Sequence, residues 1–309
     1  MNFHKSKNYQ LDMTNGSIVG KLIRFSGPLI FSGILQLLFN AADIVVVGRF
    51  AGDNSLAAVG STSSLINLLV NLFVGLSVGT NVVAANYFGA GKKNELSKTV
   101  HTAILLSIYS GIILTIVGVI GAKQILRLMQ SPEEVLVKAT LYLQIYFGGI
   151  TATMVYNFGS ALLRAKGDTQ RPLFILLFAG IINVVLNLIF VVFFKMDVAG
   201  VALATVISQT ISAVLVVFCL IKEEDEFKLN IKKLKMDRDI FIRIVKIGVP
   251  AGFQGIMFSF SNVIIQSSVN SFGAITIAGN SAASNLEGFV YVAMNGFAQG
   301  TLTFTSQNA

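Results

Sequence analysis

Long apolar segments alternate with short polar connections along most of the chain. Seven segments contain no lysine or arginine, and each is long enough to cross a bilayer, which requires about 20 mostly apolar residues. The last of these segments, residues 247–309, is long enough to cross twice. The pattern predicts eight membrane-spanning helices, near residues 26–48, 56–86, 99–121, 136–160, 173–194, 199–221, 247–270 and 275–304.

The composition supports the same interpretation, an all-α polytopic membrane helical bundle. Hydrophobic residues make up 54% of the 309 residues and charged residues only 12%, whereas a soluble domain usually carries about 25% charged residues. The segments are also much longer than the roughly 10-residue alternating strands of a membrane β-barrel. The single cysteine, Cys219, excludes an internal disulfide. We therefore expect a multi-pass protein whose main partner is the lipid bilayer.

The distribution of basic residues predicts the orientation in the membrane. If the N-terminus is cytoplasmic, 18 of the 23 lysines and arginines fall in cytoplasmic segments. The positive-inside rule therefore predicts a cytoplasmic N-terminus, and we expect the inner (plasma) membrane of the cell as the location. The rule also accounts for the net charge of +8, so no nucleic-acid partner is expected. We expect the protein to be a monomer.

One long charged connection, residues 222–245, divides the predicted spans into two lobes. Residues 1–221 form an N-terminal lobe with spans one to six, and residues 246–309 begin a C-terminal lobe with spans seven and eight. Because the second lobe has only two spans, we expect the chain to be a fragment that ends within or just after its eighth span.

The second lobe begins as a copy of the first. A shift of 222 residues aligns Pro28 with Pro250, Phe31 with Phe253, Gly33 with Gly255 and Asn40 with Asn262. Since six spans separate the two copies, both start on the same side of the membrane. The sequence therefore predicts two parallel six-helix repeats, the second incomplete, which is an arrangement typical of transporters with a substrate path between the halves.

Several motifs of the chain resemble the multidrug and toxic compound extrusion (MATE) family. They include Pro28…Gln36…Asn40-Ala-Ala-Asp43…Gly48-Arg49, Leu56-Ala-Ala-Val-Gly60, Leu163-Arg164-Ala-Lys-Gly167-Asp168-Thr-Gln-Arg-Pro172 and Gly200-Val-Ala-Leu-Ala-Thr205. The resemblance covers residues from about 20 to 309. It implies a twelve-span, two-lobe efflux pump rather than an enzyme. Such a pump exports small cationic drugs in exchange for sodium ions or protons and needs no other cofactor.

The chain departs from the family pattern at two places. The family often carries an acid four residues after the span-five asparagine, where this chain has Asn187. Some members carry a glutamate in span seven near Phe258 or Ser259, and this chain has no acid in that span. The ion-coupling route of those members therefore does not transfer directly to this sequence.

Polar residues within the apolar spans are the candidate functional site. Gln36, Asn40 and Asp43 follow i, i+4, i+7 spacing and share one face of span one. Asn183 and Asn187 share a face of span five in the same way. Membrane proteins keep ionisable groups in the hydrocarbon layer at a cost, so an acid there without neighbouring bases indicates that the protein handles cations or protons.

Asp43 and Asn187 are also predicted to lie at the same depth. Each follows a proline at the cytoplasmic start of its span, Pro28 or Pro172, by 15 positions. At about 1.5 Å per residue both lie roughly 22 Å into a hydrocarbon core of about 30 Å. We predict that Asp43 couples transport to a proton or a sodium ion, or recognises the cationic substrate, and that the amides support it.

A second acid, Glu287, lies near the middle of span eight, where the first copy has Leu68. We predict a functional role for Glu287 in the second lobe. Structural explanations remain open for all these residues. Asp43 could reach water at the outer interface, the asparagines could only join helices to one another, and Glu287 could be a neutral acid held by hydrogen bonds.

Two other functions are compatible with parts of the pattern. A flippase for lipid-linked oligosaccharides shares the general architecture, but its pyrophosphate substrate calls for arginine or lysine in the cavity, and the spans contain none apart from Lys138 at the start of span four. A membrane-embedded enzyme would need a paired-carboxylate, histidine or serine arrangement, and no two acids or histidines lie together in the spans.

Overall fold

The computed structural model describes residues 10–14, 16–128, 133–270 and 274–309, and these residues contain helices and no strand. The α-helices are α1 (Ile18–Phe50), α2 (Asp53–Gly89), α3 (Lys93–Leu128), α4 (Glu133–Gly148), α5 (Ile150–Ala165), α6 (Gln170–Asn187), α7 (Asp197–Ile221), α8 (Arg238–Asn270) and α9 (Ala274–Asn308). A π-helical turn, Leu188–Phe193, continues α6, and a short 3-10 turn, Ile231–Lys233, precedes α8. A helix or helix pair therefore coincides with each predicted span.

The helices have the length and surface of membrane spans. Within the described residues, 6 helices are long and apolar enough to cross a bilayer, and the bent pair of α4 and α5 makes up to 7. The outer face of α3 exposes Ile112, Ile113, Ile116 and Ile120. Such large exposed aliphatic side chains are unfavourable in water and match a lipid environment, so the chain forms a multi-pass membrane bundle.

Span four differs from its predicted form because it is broken at Gly149. The helices α4 and α5 meet there at an angle of 47°. A methyl group added at Gly149 would lie 2.4 Å from a methyl carbon of Val206 on α7. The break and the missing side chain together let α5 lie close against α7.

The connection between the two predicted lobes is shorter than expected and is folded onto the first lobe. Helix α8 already begins at Arg238, because the Asp237 carboxylate accepts hydrogen bonds from the backbone N–H groups of Ile240 (3.2 Å) and Asp239 (3.1 Å). These bonds lower the pKa of Asp237, as expected for an acid at a helix N-terminus. Phe227 is fully buried, so the connection is packed rather than solvated.

A buried ion cluster fixes the turn between α5 and α6 to this connection. Lys166 pairs with Glu223 and, at 2.5 Å, with Asp225. Arg171 pairs with Asp168 and, at 2.6 Å, with Glu223. Burial raises the pKa of the Asp168 carboxyl, and the charge of Arg171 opposes that rise. Buried charges are tolerated only when they are paired, so the turn and the connection hold each other in place.

The two repeats pack against each other crosswise. Helix α8 packs on α2, and α9 packs on α1. The contacts of the first pair are Gly79 with Gly248, Gly75 with Gly252, and Asn71 with Gly255; those of the second are Gly300 with Ser26, Gly296 with Ile30, and Val292 with Gly33. A shift of 221 or 222 residues converts each contact of one set into a contact of the other. The repeat predicted from the sequence therefore appears in the fold as two sets of contacts, α2 with α8 and α1 with α9, that are related by two-fold symmetry. We call these contacts together the two-fold seam.

Candidate functional site

Asp43 lies at one end of a chain of hydrogen bonds that crosses three helices. The side-chain amide of Asn187 on α6 donates to the Asp43 carboxylate on α1 and, at 3.3 Å, to the Asn183 oxygen. The Asn183 amide donates at 3.4 Å to the hydroxyl of Thr205 on α7. That hydroxyl in turn donates to the Val201 carbonyl at 3.0 Å. The structure thus brings together the acid and both amides of span five.

Asn187, which joins Asp43 to Asn183 in this chain, has an unused acceptor. Asn187 is fully buried, and its side-chain oxygen accepts no hydrogen bond from any residue that the structure describes. The π-helical turn begins directly after it, at Leu188, and such turns occur frequently at functional sites. A buried oxygen without a donor, on a residue bonded to a carboxylate, can accept a hydrogen bond or bind a cation.

The chain of hydrogen bonds opens onto a cavity of about 360 Å³ inside the first six-helix unit. Gln36, Asn40 and Asp43 line it from α1, and Asn183 lines it from α6. Four of the six predicted site residues therefore line one cavity. Asn187 does not line it but donates a hydrogen bond to Asp43, which does. Among the described residues that line the cavity there is one acid and no base.

Helix α7 supplies a polar face to the cavity that the sequence reading did not single out. Thr205, Ser208, Gln209 and Ser212 all line the cavity. They follow i, i+3, i+4, i+7 spacing within a mostly apolar helix. The same periodicity that identified the face of span one would have found them. These residues were missed because serine and threonine are only weakly polar and also occur where membrane helices pack together.

Glu287 lies apart from this site. It is exposed on α9 and is not among the residues that line the cavity. The structure therefore does not join it to Asp43, and its predicted role in the second lobe stays a prediction.

An acid-containing polar cavity inside a multi-pass helical bundle with a parallel two-fold repeat defines a protein of the membrane-transporter class. Comparison with known families gives the same answer. The MatE family profile matches residues 28–189, more than half of the chain. The chain belongs to the MatE family, the MATE transporters to which its motifs are similar.

Individual relatives align with this sequence over nearly the whole chain. The "Probable multidrug resistance protein YpnP" of Bacillus subtilis is 29% identical over 90% of this chain and 62% of its own length. The "Multidrug export protein MepA" of Staphylococcus aureus is 24% identical over 93% of this chain and 64% of its own length. The chain thus spans somewhat less than two thirds of the relatives it matches.

A solved structure shows the same fold. It is described as the outward-facing conformation of a multidrug resistance MATE family transporter of the MOP superfamily. It superposes with a TM-score of 0.86 at 25% identity, over 92% of this chain and 63% of that chain. The helical repeat and the crosswise packing thus belong to a fold that experiment has found in a transporter.

Proposed function

We propose that the protein is a secondary-active multidrug efflux transporter, which exports organic cations in exchange for protons or sodium ions. The observation that carries the proposal is the Asp43–Asn187–Asn183 chain at the wall of a polar cavity without a base. An ionised Asp43 attracts a cation, and a protonated or sodium-bound Asp43 does not. Exchange of substrate and coupling ion at one carboxylate follows from this competition.

The chemistry of the cluster suits sodium as well as a proton. The Asp43 carboxylate, the side-chain oxygens of Asn183 and Asn187, and the hydroxyl of Thr205 are all hard oxygen donors, which bind cations such as sodium. The unpaired oxygen of Asn187 supports this assignment, because a bound ion would satisfy it. Where the family often has a second acid, Asn187 offers a neutral oxygen, so a bound sodium ion would leave the cluster uncharged.

Substrates of organic-cation type fit the cavity. Its lining offers amides, hydroxyls and the ring of Phe39 beside one carboxylate. A positive charge can pair with the carboxylate and an apolar body can lie on the ring. The lining has no lysine or arginine for a pyrophosphate, and the relatives are named as multidrug proteins. Both facts favour drug export over the oligosaccharide flippase and over an enzyme.

The proposed orientation places the N-terminus, the α5–α6 turn and the connection of residues 222–237 in the cytoplasm. The positive-inside rule supports it, since this end of the bundle carries Lys233 and most of the other basic residues. We propose the cell membrane as the location. A cysteine placed at Lys233 should react with an impermeant maleimide only after the cells are opened, and one at Lys195 should react in intact cells.

The test of function is export by purified protein in lipid vesicles. A fluorescent organic cation should leave its compartment faster when a sodium or a proton gradient is imposed in the opposite direction. The two gradients are applied separately, so the assay also identifies the coupling ion. Equal rates with either gradient and with none would reject the proposal.

A further inference from the structure

A buried polar network joins α9 to the first six-helix unit at the end of the bundle that carries the α5–α6 turn and the connection. We call this end the connection end. The side-chain amide of Gln307 donates at 2.6 Å to the carbonyl oxygen of Ala165, the last residue of α5. One turn earlier, the Thr303 hydroxyl donates at 3.1 Å to the side-chain oxygen of Asn81 on α2. The Asn81 amide donates at 3.2 Å to the Ala161 carbonyl.

The N-terminal segment of residues 10–14 adds a second set of hydrogen bonds at the connection end. The backbone N–H of Leu11 donates at 3.2 Å to the Gly167 carbonyl. The Met13 side chain is buried, and its carbonyl accepts at 3.1 Å from the side-chain amide of Asn308 on α9. Gly167 has a φ of +98°, and a methyl group there would lie 2.2 Å from the Leu11 carbonyl oxygen. The approach of the segment therefore requires glycine at this position.

Two of these acceptors, the carbonyls of Ala165 and Gly167, are held rigidly. They flank Lys166, whose side chain is 1% exposed and whose ammonium group pairs with Glu223 and Asp225. The ion cluster fixes the turn, so both carbonyls point to fixed positions where α9 and the N-terminal segment can meet them. A rigid acceptor makes the bond specific for one position of α9.

The network also lies at one end of the two-fold seam. Small residues form much of the seam and bring the helices into close contact. The bonds of Gln307, Thr303 and Asn308 add to the preference for the closed arrangement at the connection end.

We propose that Gln307, together with the Asn81–Thr303 pair and Asn308, is a latch that holds the connection end closed and must open for substrate to enter from that side. The inference rests on the proposed function, because a transporter must open its cavity to each side in turn. Loss of one buried hydrogen bond of this kind shifts a closed–open equilibrium by about fivefold or more. A latch of this strength holds one state and still releases.

The test measures opening directly, without transport. Ser26 is fully buried on α1, and a methyl group on its neighbour Gly300 would lie 2.5 Å from its hydroxyl oxygen. In a Cys219→Ser background, Ser26→Cys provides one thiol that reacts with a water-soluble maleimide only when α1 and α9 separate. The rate is measured on the protein in lipid vesicles, without drug or ion gradient.

Gln307→Met keeps the side-chain length and removes the amide, and Gln299→Met makes the same change two turns earlier on α9. We expect the thiol to react about fivefold faster with Gln307→Met and at the parent rate with Gln299→Met. Asn308→Ala, a change at an exposed residue, should raise the rate in the same direction and covers the case in which Gln307→Met does not fold. Parent rates in both Gln307→Met and Asn308→Ala, or an equal rise in Gln299→Met, would overturn the latch.

The outcome is independent of whether the protein exports drugs. A raised rate in a protein that shows no export would keep the latch and reject the proposed function. Normal export, with the thiol of every variant reacting at the parent rate, would keep the proposed function and reject the latch.

Discussion

Thr205 joins α7 to the acid of α1 through Asn183 and Asn187. Thr205→Val keeps the shape and removes the hydroxyl, so the Asn183 amide loses its partner and the cluster loses one oxygen. We expect the concentration of coupling ion that gives half-maximal export to rise about fivefold, the effect of one lost hydrogen bond. The measurement is ion-dependent export in vesicles.

The matched control for this change is Thr210→Val on the same helix. Thr210 is exposed, and its hydroxyl bonds only to the Val206 carbonyl of its own helix among the described residues, at 2.7 Å. It should leave the ion dependence unchanged. Equal shifts in the two variants would show that the hydroxyl of Thr205 has no special part in the site.

Simple spacing predicted much of this cluster. Because Asp43 and Asn187 each follow a proline by 15 positions, they were predicted to lie at the same depth in the membrane. The structure joins them by a hydrogen bond. The partners on α7 were missed because hydroxyl side chains are ambiguous in a membrane helix. The unpaired oxygen of Asn187 could not be predicted, since it depends on which way the amide points once α1 and α6 are packed.

At the scale of helices, the glycine contact between α2 and α8 has a direct test. A methyl group at Gly79 would lie 2.4 Å from the Ile244 carbonyl oxygen, which is backbone and cannot turn aside. Gly79→Ala should therefore force the helices apart and destabilise the protein by about 1–3 kcal/mol. Thermal unfolding followed by circular dichroism should show a lower midpoint.

Gly60→Ala on the same helix, α2, is the control, because no atom beyond its chain neighbours and its own helix backbone lies within 4 Å of the added methyl group. Alanine is the better helix former by about 1 kcal/mol, so the midpoint should stay or rise slightly. A midpoint for Gly79→Ala as high as that for Gly60→Ala would mean that the close contact of α2 and α8 does not exist in the membrane.

The sequence predicted the helices better than their breaks. Hydrophobic length is a strong signal, and every predicted span has a counterpart among the helices. The 47° bend at Gly149 follows from the approach of α7, and the early start of α8 follows from the Asp237 cap at the end of a packed connection. Both depend on tertiary neighbours that a hydropathy pattern does not contain.

For the whole molecule, the internal repeat links sequence to mechanism. The pairing of Pro28 with Pro250 in the sequence becomes a pair of 33-residue helices, α1 and α8, each with a proline inside. Related contacts on both sides of one axis can open and close together, whereas the ion cluster and the Gln307 bond join particular residues at one end. The repeat was readable from the sequence; these polar contacts were not, because they join residues far apart along the chain.

We propose that Asp43 exchanges the coupling ion for a cationic substrate. The most direct measurement is gradient-driven export of an organic cation by vesicles that contain the Asp43→Asn variant, with the amount of inserted protein matched to the parent. Asp239→Asn, at an exposed acid on the first turn of α8, is the control for the same chemical change. We expect normal insertion and loss of export with Asp43→Asn, and parent export with Asp239→Asn. Parent export by a well-inserted Asp43→Asn protein would contradict it and make this acid structural.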